Sequence, residues 1–398
     1  MIDYGKILSK TVVETEKSGI RKFFDLLDSM NDVVGLTVGQ PDFVTPWHIR
    51  EAGIESLERG RTYYTSNSGT LELRQEINTY MTRRFGVSYD PEREVIVTVG
   101  GSEAIDIALR SVIEPGDEVI VPTPSFVCYA PLTKMAGGVP VIVETKYEDR
   151  FKLTPEALKA AITPRTKMLV LPYPNNPTGA IMTKEDLEGI AEVLRDTNIL
   201  ILSDEIYAEM TYGHEHCSIA SLEGMWERTI IASGFSKAYA MTGWRMGYIC
   251  APKQLTEQML KIHQYAIMCA PTTSQLAAVE ALKNGDEDIK MMVDEYNRRR
   301  RYIFNGLKSL GIDSFEPEGA FYIFPKKSEK GDYQVNKNMW YDIAYGFLND
   351  PNLMVDGVNV GSIMRQINFL FRNEQNASTP VNFIMIDFRN DRIYFDKK

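Results

Sequence analysis

The chain has 398 residues, 44% of them hydrophobic and 25% charged, with a formal net charge of −10. This is ordinary globular composition, long enough for two or three domains or for one large α/β domain with an appendage. The acidic balance speaks against a nucleic-acid partner, which needs clustered Lys and Arg. Four scattered cysteines without a C-x-x-C pair speak against a zinc ribbon or a redox dithiol.

In chain order, the first residues (Met1–Gly19) carry no apolar signal core. No later run approaches the ~18 apolar residues of a membrane span. A soluble cytoplasmic protein is therefore expected, with no membrane partner. "EVIVTVG" (94–100) then reads as a strand, and "SEAIDIALRSVI" (102–113) as a helix with apolar residues at helical spacing. "DEVIVPTP" (117–124), "KMLVLPYP" (167–174) and "NILILSDE" (198–205) read as further strands, with the helix "TKEDLEGIAEVLRDT" (183–197) between the last two. "RTIIAS" (228–233) and "GYICAP" (247–252) complete the series. Short apolar runs alternating with helices predict an α/β fold: a large domain with a mostly parallel sheet covered by helices on both faces. That domain is placed at 46–285.

His214 and His216, in "YGHEHCS", read as an exposed loop, and no metal site is expected. Beyond residue 285, "DEYNRRRRYIFNGLKSLG" (294–311) reads as a long charged helix, and its four arginines as a solvated face. "GAFYIFP" (319–325) reads as a strand of a smaller α+β domain made of 1–45 and 286–398.

In open α/β sheets, ligands bind beyond the carboxyl ends of the strands. After "EVIVTV" come Gly100, Gly101 and Ser102 at a helix start, where free N–H groups can seat a phosphate. Glycines and a serine there are also common structural punctuation. After "KMLVLPYP" comes "NNPTG", which alone would be a simple turn. After "NILILS" comes Asp204, with Tyr207 close behind. A carboxylate there is costly without a cationic partner; it could cap the next helix or hold a protonated ring nitrogen. After "RTIIAS" come Ser236 and Lys237, then Arg245. One ligand could use all four strand ends if it had a phosphate, a basic ring nitrogen, a phenolic oxygen and an aldehyde. Pyridoxal 5′-phosphate has all four, and a lysine can form a Schiff base with its aldehyde.

The sequence resembles the class I and II pyridoxal-phosphate-dependent aminotransferases of the aspartate-aminotransferase fold type I. The matching segments are "LTVGQPDF", "YYTSNSGTLELRQEI", "TVGGSEAIDIALRSVIEPGDEVIVPTPSFVCYAP", "PNNPTGA", "SDEIYAEMTY" and "SGFSKAYAMTGWRMGYICAP". They run in family order over about residues 15 to 325.

The resemblance implies that Lys237 carries the cofactor as a Schiff base and then moves the substrate proton. Asp204 would pair with the ring nitrogen, and Asn176 and Tyr207 would bond the phenolic oxygen. Arg245, Ser236, Gly101 and Ser102 would hold the phosphate, with Phe126 stacked on the ring. Tyr64 would reach the phosphate in a neighbouring subunit of a homodimer with shared active sites, and Gly39 would meet the substrate carboxylate. Taken singly, Phe126 is ordinary core, Tyr64 an ordinary turn residue and Ser236 plain packing.

From about residue 326 the family pattern is lost. Its carboxylate-binding arginine is assigned by spacing from Gly319 to Arg372, with Arg365 and Arg389 as alternatives. The implied activity is amino-group transfer between an L-amino acid and a 2-oxo acid in a ping-pong cycle. The alternatives are a β-lyase on the same cofactor, or a cofactor-binding protein whose divergent tail impairs transamination.

Overall fold

A computed structural model describes residues 2–16, 39–309 and 313–325, together with the backbone of four short strands further on. The chain forms two compact units. The first comprises Met1–Thr15, Gln40–Arg299 and Pro317–Phe324; the second comprises Glu16–Gly39, Arg300–Glu316 and Pro325–Lys398.

The first unit is built on a seven-stranded sheet. Its strands are β1 (Val95–Thr98), β2 (Glu118–Thr123), β3 (Val139–Glu144), β4 (Thr166–Leu171), β5 (Leu200–Asp204), β6 (Thr229–Gly234) and β7 (Gly247–Cys250). The order across the sheet is β1-β7-β6-β5-β4-β2-β3. All pairings are parallel except those of β7, which runs antiparallel to both β1 and β6.

Successive strand residues face opposite layers, as the two-residue period of a strand requires. Val95, Val97, Ile231, Tyr248 and Cys250 enter one core, with Leu73, Ile77 and Ala278 from the helices Leu71–Phe85 and Thr272–Asn284. Ile96, Ile230, Ala232 and Ile249 enter the other, with Ile105, Ala108 and Met259 from the helices Gly101–Val112 and Lys253–Ala266. The expected doubly covered, mostly parallel sheet is therefore present.

Two details differ from the sequence reading. β3 carries no prediction above. It is an edge strand: Val139–Val143 is an unbroken apolar run, yet Val139, Ile142 and Glu144 are exposed. "GAFYIFP" is not a strand. Gly319 makes a single antiparallel bridge to Thr211, and the chain then turns. Ala320 explains the turn, because its φ of 54° lies in the left-handed region and cannot continue a strand.

The charged helix spans Asp286–Ser309; Arg298 and Arg301 are exposed, as expected of a solvated face, whereas the Arg300 side chain is only 13% exposed. Arg298 and Arg299 both bond Glu295, and Arg299 also reaches Asp42. Its residues up to Arg299 belong to the first unit, where Met292 and Tyr296 pack with Tyr207, Phe43 and Phe321.

In the second unit, Arg300 bonds Glu316 at 2.8 Å. Its C-terminal part contains the antiparallel pairs β8–β9 (Met354–Val355, Val358–Asn359) and β10–β11 (Val381–Asp387, Arg392–Lys397).

Candidate active site

The parallel neighbours β5 and β6 are in register so that Asp204 lies opposite Ala232. Asp204 ends β5, and Lys237 lies on the turn just beyond β6. Lys237 Nζ sits 5.6 Å from the ring centre of Tyr207 and 5.5 Å from that of Phe321. Burial among these rings favours the neutral amine. The Asp204 carboxylate opposes that effect and Arg245 adds to it, leaving the lysine pKa lowered to about 8.

Asp204 is almost fully buried. Its Oδ2 accepts a 2.7 Å hydrogen bond from the Tyr129 hydroxyl, and its Oδ1 accepts one from the Ile206 N–H at 3.2 Å. Burial still outweighs these bonds and the pull of Lys237, and holds the carboxyl above its usual range. The bond to Ile206 closes a turn and uses only one oxygen; the described residues that follow form a turn, not a helix, so Asp204 does not cap one.

The "NNPTG" turn divides its work between two asparagines. Asn175, buried, accepts from the Thr178 N–H (3.1 Å) and hydroxyl (2.8 Å) and donates to Pro172 O, which locks the turn. Asn176 is left to hydrogen-bond the Tyr207 phenol. The Tyr207 hydroxyl also shares a 2.8 Å hydrogen bond with Tyr322.

Backbone bonds bring Phe321 and Tyr322 to this point. Glu318 and Gly319 N–H donate to Gly179 O (3.0 and 2.9 Å), and Ala320 N–H donates to Met210 O (2.8 Å). The Tyr212 hydroxyl donates to Ala320 O at 2.6 Å. Gly179, at φ 74°, has no room for a Cβ, which would collide with Pro317 and crowd Tyr322 O.

At the other end of the site, β1 leads through Gly100 (φ 78°) into the helix Gly101–Val112. Its first N–H groups, those of Gly101, Ser102 and Glu103, lie at positions with no intrahelical partner. Arg245 lies across this helix start. It holds a left-handed backbone (φ 52°), which costs a non-glycine residue about 1 kcal/mol, and donates to Thr242 O (3.1 Å) and Val99 O (3.4 Å). The approach is so close that a side chain at Gly100 would strike the guanidinium, and one at Gly247 would strike Gly100 and Gly101. The result is an exposed cation beside a row of helix N–H groups, an arrangement that attracts anions.

Lys237, Tyr207, Asn176, Ser236 and Arg245 thus lie on loops at one end of the sheet, where Asp204 closes β5 and Gly101 and Ser102 open a helix. Ser236 is buried and Ser102 exposed. Phe126, partly buried, packs edge-on to Tyr129 with ring centres 6.2 Å apart. Tyr64 is 78% exposed. Gly39 belongs to the second unit. Arg365, Arg372 and Arg389 lie outside the described residues.

Tyr129, Phe321 and Tyr322 join the site although the sequence reading did not single them out. Tyr129 opens the helix Tyr129–Met135 and Phe126 lies in the loop before it, so no helical period links the two. The exposed-loop reading of the two histidines holds for His214; His216 lies on the same loop but is not exposed. The His216 side chain is 8% exposed, because its Nε2 meets the buried Glu205 carboxylate at 3.0 Å. No helix among the described residues is long and apolar enough to cross a membrane, and no cluster of three or more His, Cys, Asp or Glu among them could hold a metal ion.

Residues 31–356 match the family model "Aminotransferase class I and II". YugH of Bacillus subtilis, named as an aminotransferase, is 52% identical, over 81% of this chain and 84% of its own. The aromatic-amino-acid aminotransferase 2 of Thermococcus litoralis is 41% identical, with coverages of 81% and 84%. The crystal structure of the Thermus thermophilus aspartate aminotransferase with maleate superposes with a TM-score of 0.75 at 40% identity, covering 79% of this chain and 83% of the other. The family is generally dependent on pyridoxal phosphate. The chain belongs to the class I and II aminotransferases, and its activity is that of a transaminase.

Proposed function

We propose that the chain moves an amino group between an L-amino acid and a 2-oxo acid with pyridoxal 5′-phosphate held at this sheet edge, in a ping-pong cycle. The observation that carries the reading is the pair on β5 and β6: a buried carboxyl on one strand end and a desolvated amine beyond the next.

The donor set fits the cofactor at each of its ends. Asp204 accepts two hydrogen bonds and still has its pKa raised by burial, so a protonated ring nitrogen supplies the charge it needs. Asn176 and Tyr207 meet at one point suited to a phenolic oxygen, with Tyr322 supporting Tyr207. Arg245, Ser236 and the N–H groups of Gly101 and Ser102 suit the phosphate, and Phe126 suits one ring face. When bound, the cofactor supplies an aldehyde that condenses with amines and a ring that accepts the electron pair released at the substrate α-carbon.

The chain's own groups do the rest. With a pKa near 8, Lys237 Nζ is neutral in about a tenth of molecules at pH 7, against well under a thousandth for an unshifted lysine. It can therefore take the proton from the substrate α-carbon and return it as an acid. The apolar wall of Phe321 and Tyr207 keeps water from that nitrogen. Exposed Tyr64 would act on the phosphate of a second subunit, which makes the working unit a homodimer with shared sites. Four free thiols suit a reducing cytoplasm.

The test combines spectra and turnover. Adding pyridoxal 5′-phosphate to the purified protein should produce a visible absorption band that borohydride fixes, and Lys237→Ala should abolish it. Amino acids supplied with 2-oxoglutarate should yield glutamate. Release of pyruvate and ammonia without glutamate would mean a lyase instead.

A further inference from the structure

Beneath the proposed phosphate seat lies a buried pair that the reaction itself does not use. Glu103, on the first turn of the helix Gly101–Val112, has a side chain only 10% exposed. Its Oε2 accepts a hydrogen bond from the Val99 N–H. Its Oε1 lies 2.6 Å from Nδ1 of His263, a fully buried residue on the helix Lys253–Ala266.

The two peptide groups flanking Val99 are thus both held, the Val99 N–H by Glu103 and the Val99 carbonyl by Arg245 at 3.4 Å. Val99 and Gly100 are the link that turns β1 into the helix, and Gly100 N–H folds back onto Thr98 O at 2.9 Å. An N-cap side chain would normally hold such a helix start, but glycine occupies that position and makes no side-chain bond. Glu103 takes over the role by reaching back past the cap, as the acidic member of a capping box does.

This solution creates an electrostatic problem, because a carboxylate at the helix start competes with an anionic ligand for the same partial positive charge. His263 answers it by drawing Glu103 Oε1 toward the neighbouring helix. His263 Nε2 is buried without a hydrogen-bond partner among the described residues, so the ring's one polar bond is spent on Glu103.

We infer that Glu103 and His263 are positioning residues for phosphate binding: they set the Val99–Gly100 link, and through it the helix N–H groups and Arg245, without touching the ligand. The inference rests on reading the helix start as the phosphate seat.

The experiment measures dissociation constants of the cofactor-free protein for pyridoxal 5′-phosphate and for pyridoxal, which lacks the phosphate. Glu103→Ala and His263→Leu should each weaken the phosphorylated ligand by about tenfold and leave pyridoxal within about twofold. His263→Asn, whose amide can stand near the Nδ1 position, should restore most of the loss. Equal weakening of both ligands would reveal a merely structural pair and overturn the proposal; so would unchanged affinity for both. Should His263→Leu not fold, Glu103→Ala decides the question on the same readout. Wild-type protein that binds neither aldehyde would overturn the cofactor assignment as well, which separates that failure from a failure confined to the variants.

Discussion

Asp204 and Glu205 are adjacent at the end of β5, both buried and both acidic, yet the molecule treats them in opposite ways. Glu205 is surrounded by donors: Ser203 (2.9 Å) and Ser218 (2.7 Å) bond one oxygen, and His216 meets the other at 3.0 Å. His216 is in turn packed edge-on against Phe85. Asp204 accepts only the Tyr129 hydroxyl and one backbone N–H, and faces a lysine whose own charge is suppressed. A buried carboxylate with its partners supplied by the fold serves as a structural tie. One left short of positive charge is suited to a cationic ligand.

The largest effect that would sharpen this contrast is expected at Lys237. Lys237→Ala should reduce amino transfer by at least about 10⁴-fold, because nucleophile and proton carrier are lost together. The same variant tests the electrostatics without cofactor. With the lysine pKa depressed from 10.5 to about 8, the unfolded chain binds the extra proton between those values. Stability of the cofactor-free wild type should therefore rise with pH across that window, by up to about 3 kcal/mol, and the rise should be absent from the variant. Urea unfolding at pH 7.5 and pH 10 reads it directly.

Asp204→Asn should lower amino transfer by about 10²–10³-fold in steady-state assays. Its effect on stability should have the other sign. The folded-state pKa is raised by burial, so the charged form is a burden above the ordinary carboxylate range. The amide should leave the cofactor-free protein at least as stable at pH 7. A marked fall in its melting temperature would show that Asp204 is a structural tie after all.

Glu205→Gln should reverse the pattern. The amide cannot keep all the hydrogen bonds that Ser203, Ser218 and His216 make to Glu205, which should destabilise the fold by about 1–3 kcal/mol in denaturant titration, while activity per folded molecule stays within about threefold. Activity lost in proportion to that of Asp204→Asn would erase the distinction between the two carboxylates.

The smallest effect is expected from Tyr129→Phe. It removes one hydrogen bond to Asp204, worth about 0.5–1.5 kcal/mol, and so should weaken turnover by up to about tenfold. Unaltered turnover would mean that the 2.7 Å contact contributes packing alone.

Much of this architecture was legible in the residues. The central strands announced themselves because both faces are buried, so each reads as an unbroken apolar run: "MLVL", "LILS" and "TIIAS". The edge strand β3 carries such a run too (Val139–Val143), so its half-exposure could not be read from the residues. The direction of β7 was equally hidden, since a short apolar run reads the same in either orientation. Lys237 and Asp204 could be picked out because polar residues at the ends of apolar strands have few structural reasons to be there, and Asn176 and Arg245 through the family motifs that contain them. Tyr129, Phe321, Tyr322 and His216 could not, because an aromatic residue near a loop looks like ordinary core until its neighbours are known.

The residue order by itself determined the alternating strands and helices and the chemical groups stationed at the strand ends. Hydrophobic periodicity and turn chemistry are local properties, written within a few residues. Only the tertiary structure decided which of those groups meet. It set Tyr129 on Asp204, Tyr322 on Tyr207, Arg245 on the Val99 carbonyl and His263 on Glu103, pairs separated by 75 to 160 residues. Such contacts depend on strand order, register and the close approach permitted at Gly100, Gly179 and Gly247. Those features follow from packing the whole sheet rather than from any stretch of it.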